Sequence, residues 1–244
     1  MGGFFYNLGR KAGPKIRKAK WAYLAATAPE GDVIKAEYAA GADIAAAMRT
    51  KLQISSNAEY IRLLDETGRT LTGCLKKKNR KFTFECIQSV EPQAFCLPGG
   101  FIFVSDSIIE LCGRDPNPIA FILAHEMAHV IEGHVMERML SSSLVQAMKK
   151  AGHLRAATGP LAKIGVQFLE RAYSRENEFR ADQFGVRLVS AAGFDPGGAI
   201  DLFLRLEPLQ KNSTLGQYFS THPTCSERIE HARSMLKMPD TQNR

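Results

Sequence analysis

The sequence has no apolar run approaching 18 residues, so it offers no transmembrane helix. Its first residues lack the apolar core of a secretory signal, and Tyr6 stands where a myristoylation pattern requires Ser or Thr. Cysteine is sparse: Cys74, Cys86, Cys96, Cys112 and Cys225 are odd in number and include no C-x-x-C pair. That argues against a disulfide frame or a second, cysteine-ligated zinc site, and favours free thiols in a reducing compartment. Acid is missing from the first 20 residues, which hold Arg10, Lys11, Lys15, Arg17, Lys18 and Lys20. Phe4, Phe5, Tyr6 and Trp21 flank this run. The expectation is a basic, solvated arm over residues 1–32, able to rest on an anionic membrane surface. An organelle leader is the other reading of an acid-poor basic start, although this one has no Ser and carries Pro14. No nucleic-acid-binding motif accompanies the charge, so no nucleic-acid partner is expected. The expected address is cytoplasmic or peripheral to an inner membrane, with organelle import left open.

What is present is a globular composition, 45% hydrophobic and 23% charged over 244 residues. Residues 33–244 are long enough for a single large domain with a real core. Its most informative stretch is His125-Glu126-Met127-Ala128-His129, set in the apolar segment from Pro118 to Ile131. Asn117 as N-cap and Pro118 at the first helical position predict a helix over 118–139. On a helix, residues four apart share a face, so both imidazoles can reach one Zn²⁺ at about 2.0–2.1 Å. Glu126 lies beside them, placed to take a proton from a water that the ion activates. The alternative is a buried helix carrying the five residues by accident, expected on the order of once per hundred chains of this length. Unpaired His and Glu would be costly to bury in so apolar a segment, which favours the metal.

Elsewhere the spacing of Ile34, Tyr38, Gly41, Ile44, Met48 and Leu52 predicts a helix over 33–52, with Asp32 as its cap. Ser56-Asn57 opens a second helix. The period then changes: Phe82–Ile87 alternates as a strand, and Ala94–Leu97 and Phe101–Val104 form two more around Pro98-Gly99-Gly100. Helical segments follow over 141–150, 161–172, 175–192, 198–207 and about 223–237. Helices, a small sheet and then helices make the class α+β. The stretch between the zinc helix and residue 175 could also form a flap over the cleft, although a helical hairpin packed for stability predicts the same pattern.

A zinc peptidase needs a third protein ligand and an open position for water. His134 lies nine residues after His125, which on a continuous helix turns it about 180° away. The metzincin pattern would require Gly at 132 and His at 135, where this chain has Glu132 and Val135. His134 therefore reads as a surface or hydrogen-bonding residue. Glu178 and Asp182, four apart on one helix face, suit a cation bound by Glu178 with Asp182 accepting from a ligand imidazole. They read equally as an ordinary charged face balanced by Arg175 and Arg180.

The His125–His129 pentad, Ser174-Arg175-x-x-Glu178-x-x-Ala181-Asp182 and Thr221-His222-Pro223-x(4)-Arg228-Ile229 together resemble the HtpX, CAAX-prenyl-protease and Oma-like zinc peptidases. These are metallopeptidase family 48, of the gluzincin type. The segment Gln93 to Val104 is similar to the family's stretch upstream of the zinc helix, except that Gln93 replaces the usual Asn. The multiple transmembrane helices of HtpX and the prenyl proteases are absent. The resemblance spans roughly residues 35–237. It implies a zincin-like fold, predominantly helical, with its small sheet beside the H-E-x-x-H helix. It implies one Zn²⁺ on His125, His129 and Glu178, with Asp182 behind the ligands and His222 and Arg228 near the site. His222 would stabilise the oxyanion or occupy the open zinc position in a closed state, and Arg228 would orient carboxylates or bind substrate. For these last two, a helix-capping His-Pro turn and a structural Arg pair are the competing readings.

The expected activity is zinc-dependent hydrolysis of extended polypeptide, with Glu126 as general base and a donor such as His222 for the oxyanion. Phe101, Ile102, Phe103 and Val104 are expected to form an edge strand on which the peptide adds. Such a mode would suit quality control of unfolded proteins. A zinc-bound but latent or chaperone-like module, or a membrane-surface adaptor, is the alternative; an intact Glu126 speaks for catalysis.

Overall fold

The computed structural model describes residues 29–76, 79–141, 173–211 and 223–237. Element numbers below follow chain order among these. Helix α1 (Glu30–Arg49) and helix α2 (Ala58–Gly73) precede a three-stranded sheet of β1 (Thr83–Ile87), β2 (Ala94–Leu97) and β3 (Phe101–Ser105). Then come α3 (Asp106–Leu111), α4 (Pro116–Ile131), α5 (His134–Ser141), α6 (Arg175–Ala191), α7 (Gly198–Lys211) and α8 (Cys225–Leu236). The α+β class with a small sheet beside the pentad helix is as expected. Among the described residues no helix is long and apolar enough to cross a membrane.

The sheet order is β1-β3-β2, with β3 parallel to β1 and antiparallel to β2. Phe101 lies against Tyr38 of α1 and Phe103 stacks on Phe95, while Ile102 and Val104 point to the other face. Both faces are covered, so every residue of β3 is buried and its sequence reads as one apolar run rather than an alternation. The edge-strand expectation for Phe101–Val104 is therefore wrong. Both hydrogen-bonding edges of β3 are already paired, and none of the four residues can receive a substrate strand.

α4 is the hub, packing most extensively on α6 and then on α7, α2 and β2. Its start differs from expectation: Asp115 is the N-cap, accepting from the Asn117 N–H, and Pro116 rather than Pro118 takes the first position. Its end differs more. The helix stops at Ile131, and Gly133 turns the chain with φ of +77° before α5 begins at His134. That left-handed conformation is one glycine adopts at no steric cost. Likewise α1 begins at Glu30, capped by no side chain, and Asp32 lies inside its first turn. The second helix does begin where Asn57 caps it, its side chain accepting from the Glu59 and Tyr60 N–H groups. The helix expected over 141–150, beyond Ser141, that over 161–172, and the flap reading of that stretch, lie outside the described residues.

Candidate active site

A helix that is apolar all round is buried all round, and α4 takes its pentad into the core: His125, Glu126 and His129 are 4, 5 and 0% exposed. The four-residue spacing brings the two rings to one side, with His125 Nε2 and His129 Nε2 3.1 Å apart. Helix α6 supplies the opposite wall. Ser174 caps it by accepting from the Asn177 N–H. Gly185 lets it approach α4 closely, since a Cβ there would stand 3.2 Å from the Phe121 ring. Glu178 and Asp182 lie on its buried face, one turn apart. Glu178 Oε2 is 3.6 Å from His125 Nε2, and Oε1 is 3.4 Å from His129 Nε2. The reading of an ordinary charged face fails here. Arg175 pairs outward with Glu227 and Arg180 with Glu132, so neither balances the two buried carboxylates, which face the histidines.

His125, His129 and Glu178 each offer one donor atom within 4.8 Å of the others, all buried. Two imidazole nitrogens and a carboxylate oxygen are the donor chemistry of a borderline-soft divalent ion, and a tetrahedral Zn²⁺ would set its nitrogen donors about 3.3 Å apart. Tautomers support the same fit. His125 Nδ1 lies 2.9 Å from Asp182 Oδ1, so its proton goes to that carboxylate and the lone pair falls on Nε2, facing His129. A lone pair and a carboxylate turned inward on one point could hold a cation. Burial and the Arg228 charge depress the His125 pKa, but the bond and charge of Asp182 with the charge of Glu178 outweigh them and raise it. At His129 burial dominates and the pKa falls, so that ring is held neutral, the form in which an imidazole ligates a metal.

Asp182 is itself held. Arg228 Nε donates to Oδ2 at 3.0 Å and Nη2 to Oδ1 at 2.5 Å, and the guanidinium lies over the Phe203 ring at 4.3 Å from its centroid. Burial would raise the Asp182 pKa, yet the Arg228 charge and the His125 bond keep it below its ordinary value. Arg228 thus holds Asp182, its Nη2 also lies 3.2 Å from His125 Nδ1, and it is 3% exposed at the inner end of α8. His222 lies outside the described residues.

Three neighbours of the pentad escaped sequence reasoning. His134 is buried, the hydrogen-bonding residue of its two readings and not the surface one, and its Nδ1 lies 3.2 Å from His129 Nδ1. The helical-wheel argument that turned it away assumed a continuous helix, and the turn at Gly133 undoes that assumption. Burial pushes its pKa down to about 4, helped by the charges of His129 and Arg180. Tyr173 stacks on the His129 ring, 3.8 Å between centroids and 14° between planes. It stands one residue before the α6 cap, with no periodicity or motif to announce it. Cys96 of β2 lies 3.9 Å from the Tyr173 hydroxyl; burial, then the nearby Glu126 charge, push its thiol pKa well up.

Relatives carry this arrangement into a family. The chain is 32% identical to the mitochondrial metalloendopeptidase OMA1 of Saccharomyces cerevisiae over 156 residues, 61% of this chain and 44% of that protein. It is 30% identical to a putative beta-barrel assembly-enhancing protease of Vibrio cholerae over 192 residues, 73% of this chain and 39% of that one. It is 24% identical to the metalloprotease LoiP of Escherichia coli over 187 residues, 74% of this chain and 72% of that one. The chain thus spans less than half the length of the first two. The model of peptidase family M48 matches residues 62–236, from within α2 to the end of α8, and so takes in the pentad, Glu178, Asp182 and Arg228. The chain belongs to peptidase family M48.

Proposed function

We propose that this chain is a zinc-dependent endopeptidase that cleaves extended or unfolded polypeptide. The observation that carries the reading is the buried convergence of His125 Nε2, His129 Nε2 and Glu178 beside Glu126. In it, His125, His129 and Glu178 would hold one Zn²⁺ per chain. Bound there, the ion would polarise the scissile carbonyl and make water nucleophilic near neutral pH. The chain's own residues do the rest. Glu126 accepts the proton of the attacking water and delivers it to the leaving amine. Asp182 fixes the His125 ring by accepting its Nδ1–H, and Arg228 fixes Asp182. His222 is proposed as the oxyanion donor on the strength of the Thr221-His222-Pro223 resemblance.

The substrate strand would add to β2 rather than β3. Ser105 N–H donates to the Gln93 carbonyl, so Gln93, Phe95 and Leu97 face β3, while the N–H and C=O of Ala94 and Cys96 turn to the outer edge, which has no strand partner among the described residues. Ala94 shares a small apolar cavity with His125 and Glu126, which sets that edge next to the general base. Backbone pairing selects segments free to become extended, which suits quality control of damaged proteins. The basic residues between 10 and 20 suit a peripheral contact with an anionic membrane, testable by vesicle flotation with and without residues 1–32.

The deciding experiment is cleavage of unfolded casein by the zinc-loaded protein beside Glu126→Gln. Turnover by the wild type, lost in a variant that still binds one zinc, is the expected result. Equal turnover by both would remove Glu126 from the mechanism. No turnover by a fully loaded wild type would leave a latent enzyme or a binding module.

A further inference from the structure

The two pentad histidines are supported differently. His125 gives its Nδ1–H to a carboxylate, whereas the hydrogen-bond partner at His129 Nδ1 among the described residues is another imidazole, that of His134. The pair is closed off from water, with His129 at 0% and His134 at 3% exposure. Tyr173 stacks on the His129 ring and sets its plane, so rotation about the ring normal is the freedom left for a polar contact to remove. Two facing ring nitrogens 3.2 Å apart share one proton. If His134 supplies it, His129 carries its own proton on Nε2, where it points at His125 Nε2 and blocks the cation site. If His129 supplies it, the Nε2 lone pair is free for a metal and His134 keeps its proton on Nε2. That nitrogen of His134 is buried with no hydrogen-bond partner among the described residues.

We propose that His134 is a positioning residue for His129, accepting the His129 Nδ1–H at its own Nδ1 so that the His129 Nε2 lone pair is presented beside His125 and Glu178. This rests on the metallopeptidase reading above and extends it to a residue outside the pentad. The local fold is built for the contact. The left-handed turn at Gly133 brings the first residue of α5 back over the end of α4, five residues after its partner. An imidazole acceptor carries no charge to the site, unlike the carboxylate behind His125, so the site keeps a single fully buried anionic support on that side.

The test is zinc affinity of the full chain, measured by competition with a chromogenic chelator, for the wild type, His134→Leu and His134→Asn. Leucine removes the acceptor, and the asparagine Oδ1 sits about where Nδ1 did. The expected result is a 10–100-fold loss of zinc affinity in His134→Leu, as is typical when a ligand histidine loses its supporting partner, with His134→Asn within about threefold of the wild type on the same scale. Unchanged affinity in His134→Leu, or an asparagine variant as weak as the leucine one, overturns the proposal. Failure of the wild type to bind zinc at all would instead overturn the underlying reading, so the two failures are distinct. Should the leucine variant not fold, long-range ¹H–¹⁵N spectra of the zinc-loaded wild type decide. A protonated Nδ1 on His129 is expected, and an unprotonated one refutes the assignment.

Discussion

Removing Arg228 or Asp182 should reveal a buried ion pair whose members are tolerable only together. The guanidinium and carboxylate are 3% and 1% exposed and joined by two hydrogen bonds. Taking each charge out of water costs several kcal/mol, recovered only through the partner. Arg228→Met leaves the Asp182 carboxylate with the His125 Nδ1–H at 2.9 Å in place of a bidentate cation, and such a loss costs about 3–5 kcal/mol. Asp182→Asn strips the guanidinium of its counter-charge at a similar cost, about 3–5 kcal/mol. Were the two independent, the double variant would lose about 6–10 kcal/mol, comparable with the entire stability of an ordinary domain. Because the double variant buries neither charge, it should recover about 2–3 kcal/mol of that sum. The assay is urea unfolding of the metal-free protein, with chelator present throughout, for all four members of the cycle. Single losses below about 1 kcal/mol, or a double variant additive to within about 0.5 kcal/mol, would refute the reasoning.

Chelation of the zinc-loaded protein should lower its melting temperature as well as its activity. At a free-zinc concentration 100 times the dissociation constant the ion contributes about 2.7 kcal/mol, or roughly 5–11 °C for a domain of this size, and an unchanged melting curve would count against a folded-state site. A thiol reagent at pH 8 should modify Cys74 quickly and the other four cysteines only after unfolding. Cys74 is exposed, while burial raises the thiols of Cys86 and Cys96 and pushes Cys112 up to about 12 and Cys225 to about 11, keeping all four protonated. Rapid labelling of more than one thiol in the native protein would contradict this. Gly41→Ala should destabilise by about 1–3 kcal/mol, although helix propensity alone favours alanine by about 1 kcal/mol. A Cβ at that position would lie 1.7 Å from the Pro98 carbonyl oxygen, prising α1 from the β2–β3 turn that Glu37 holds through the Gly99 N–H. Stabilisation in thermal melts would show that the close approach relaxes at no cost.

Local chemistry made much of this molecule legible in advance. The pentad announced itself by spacing, because a four-residue interval on any helix puts two side chains on one face. Ser56-Asn57 marked a helix start, and the change of period near Phe82 marked the sheet. Glu178 and Asp182 stood out as a pair, but only burial against α4 separates a ligand face from a solvated one, and burial is not a local property. The same limit explains the β3 error. A run of four apolar residues says that both faces are covered, and pairing on both edges is decided by where β1 and β2 fold against it.

His134 is the sharpest case. Its distance from His125 in sequence implied the opposite side of a continuous helix, yet one glycine at φ of +77° ends that helix and returns the ring to within 3.2 Å of His129. Tyr173, Cys96 and Arg228 likewise reach the pentad from segments 30 to 100 residues away. By itself, then, the sequence determined what chemistry the site can carry and which helix carries it, because residue type and short-range spacing suffice for both. Only the tertiary structure decided which distant side chains orient those groups and which strand lies in the middle of the sheet, because these depend on how close two helices or strands can approach, and that is set by packing.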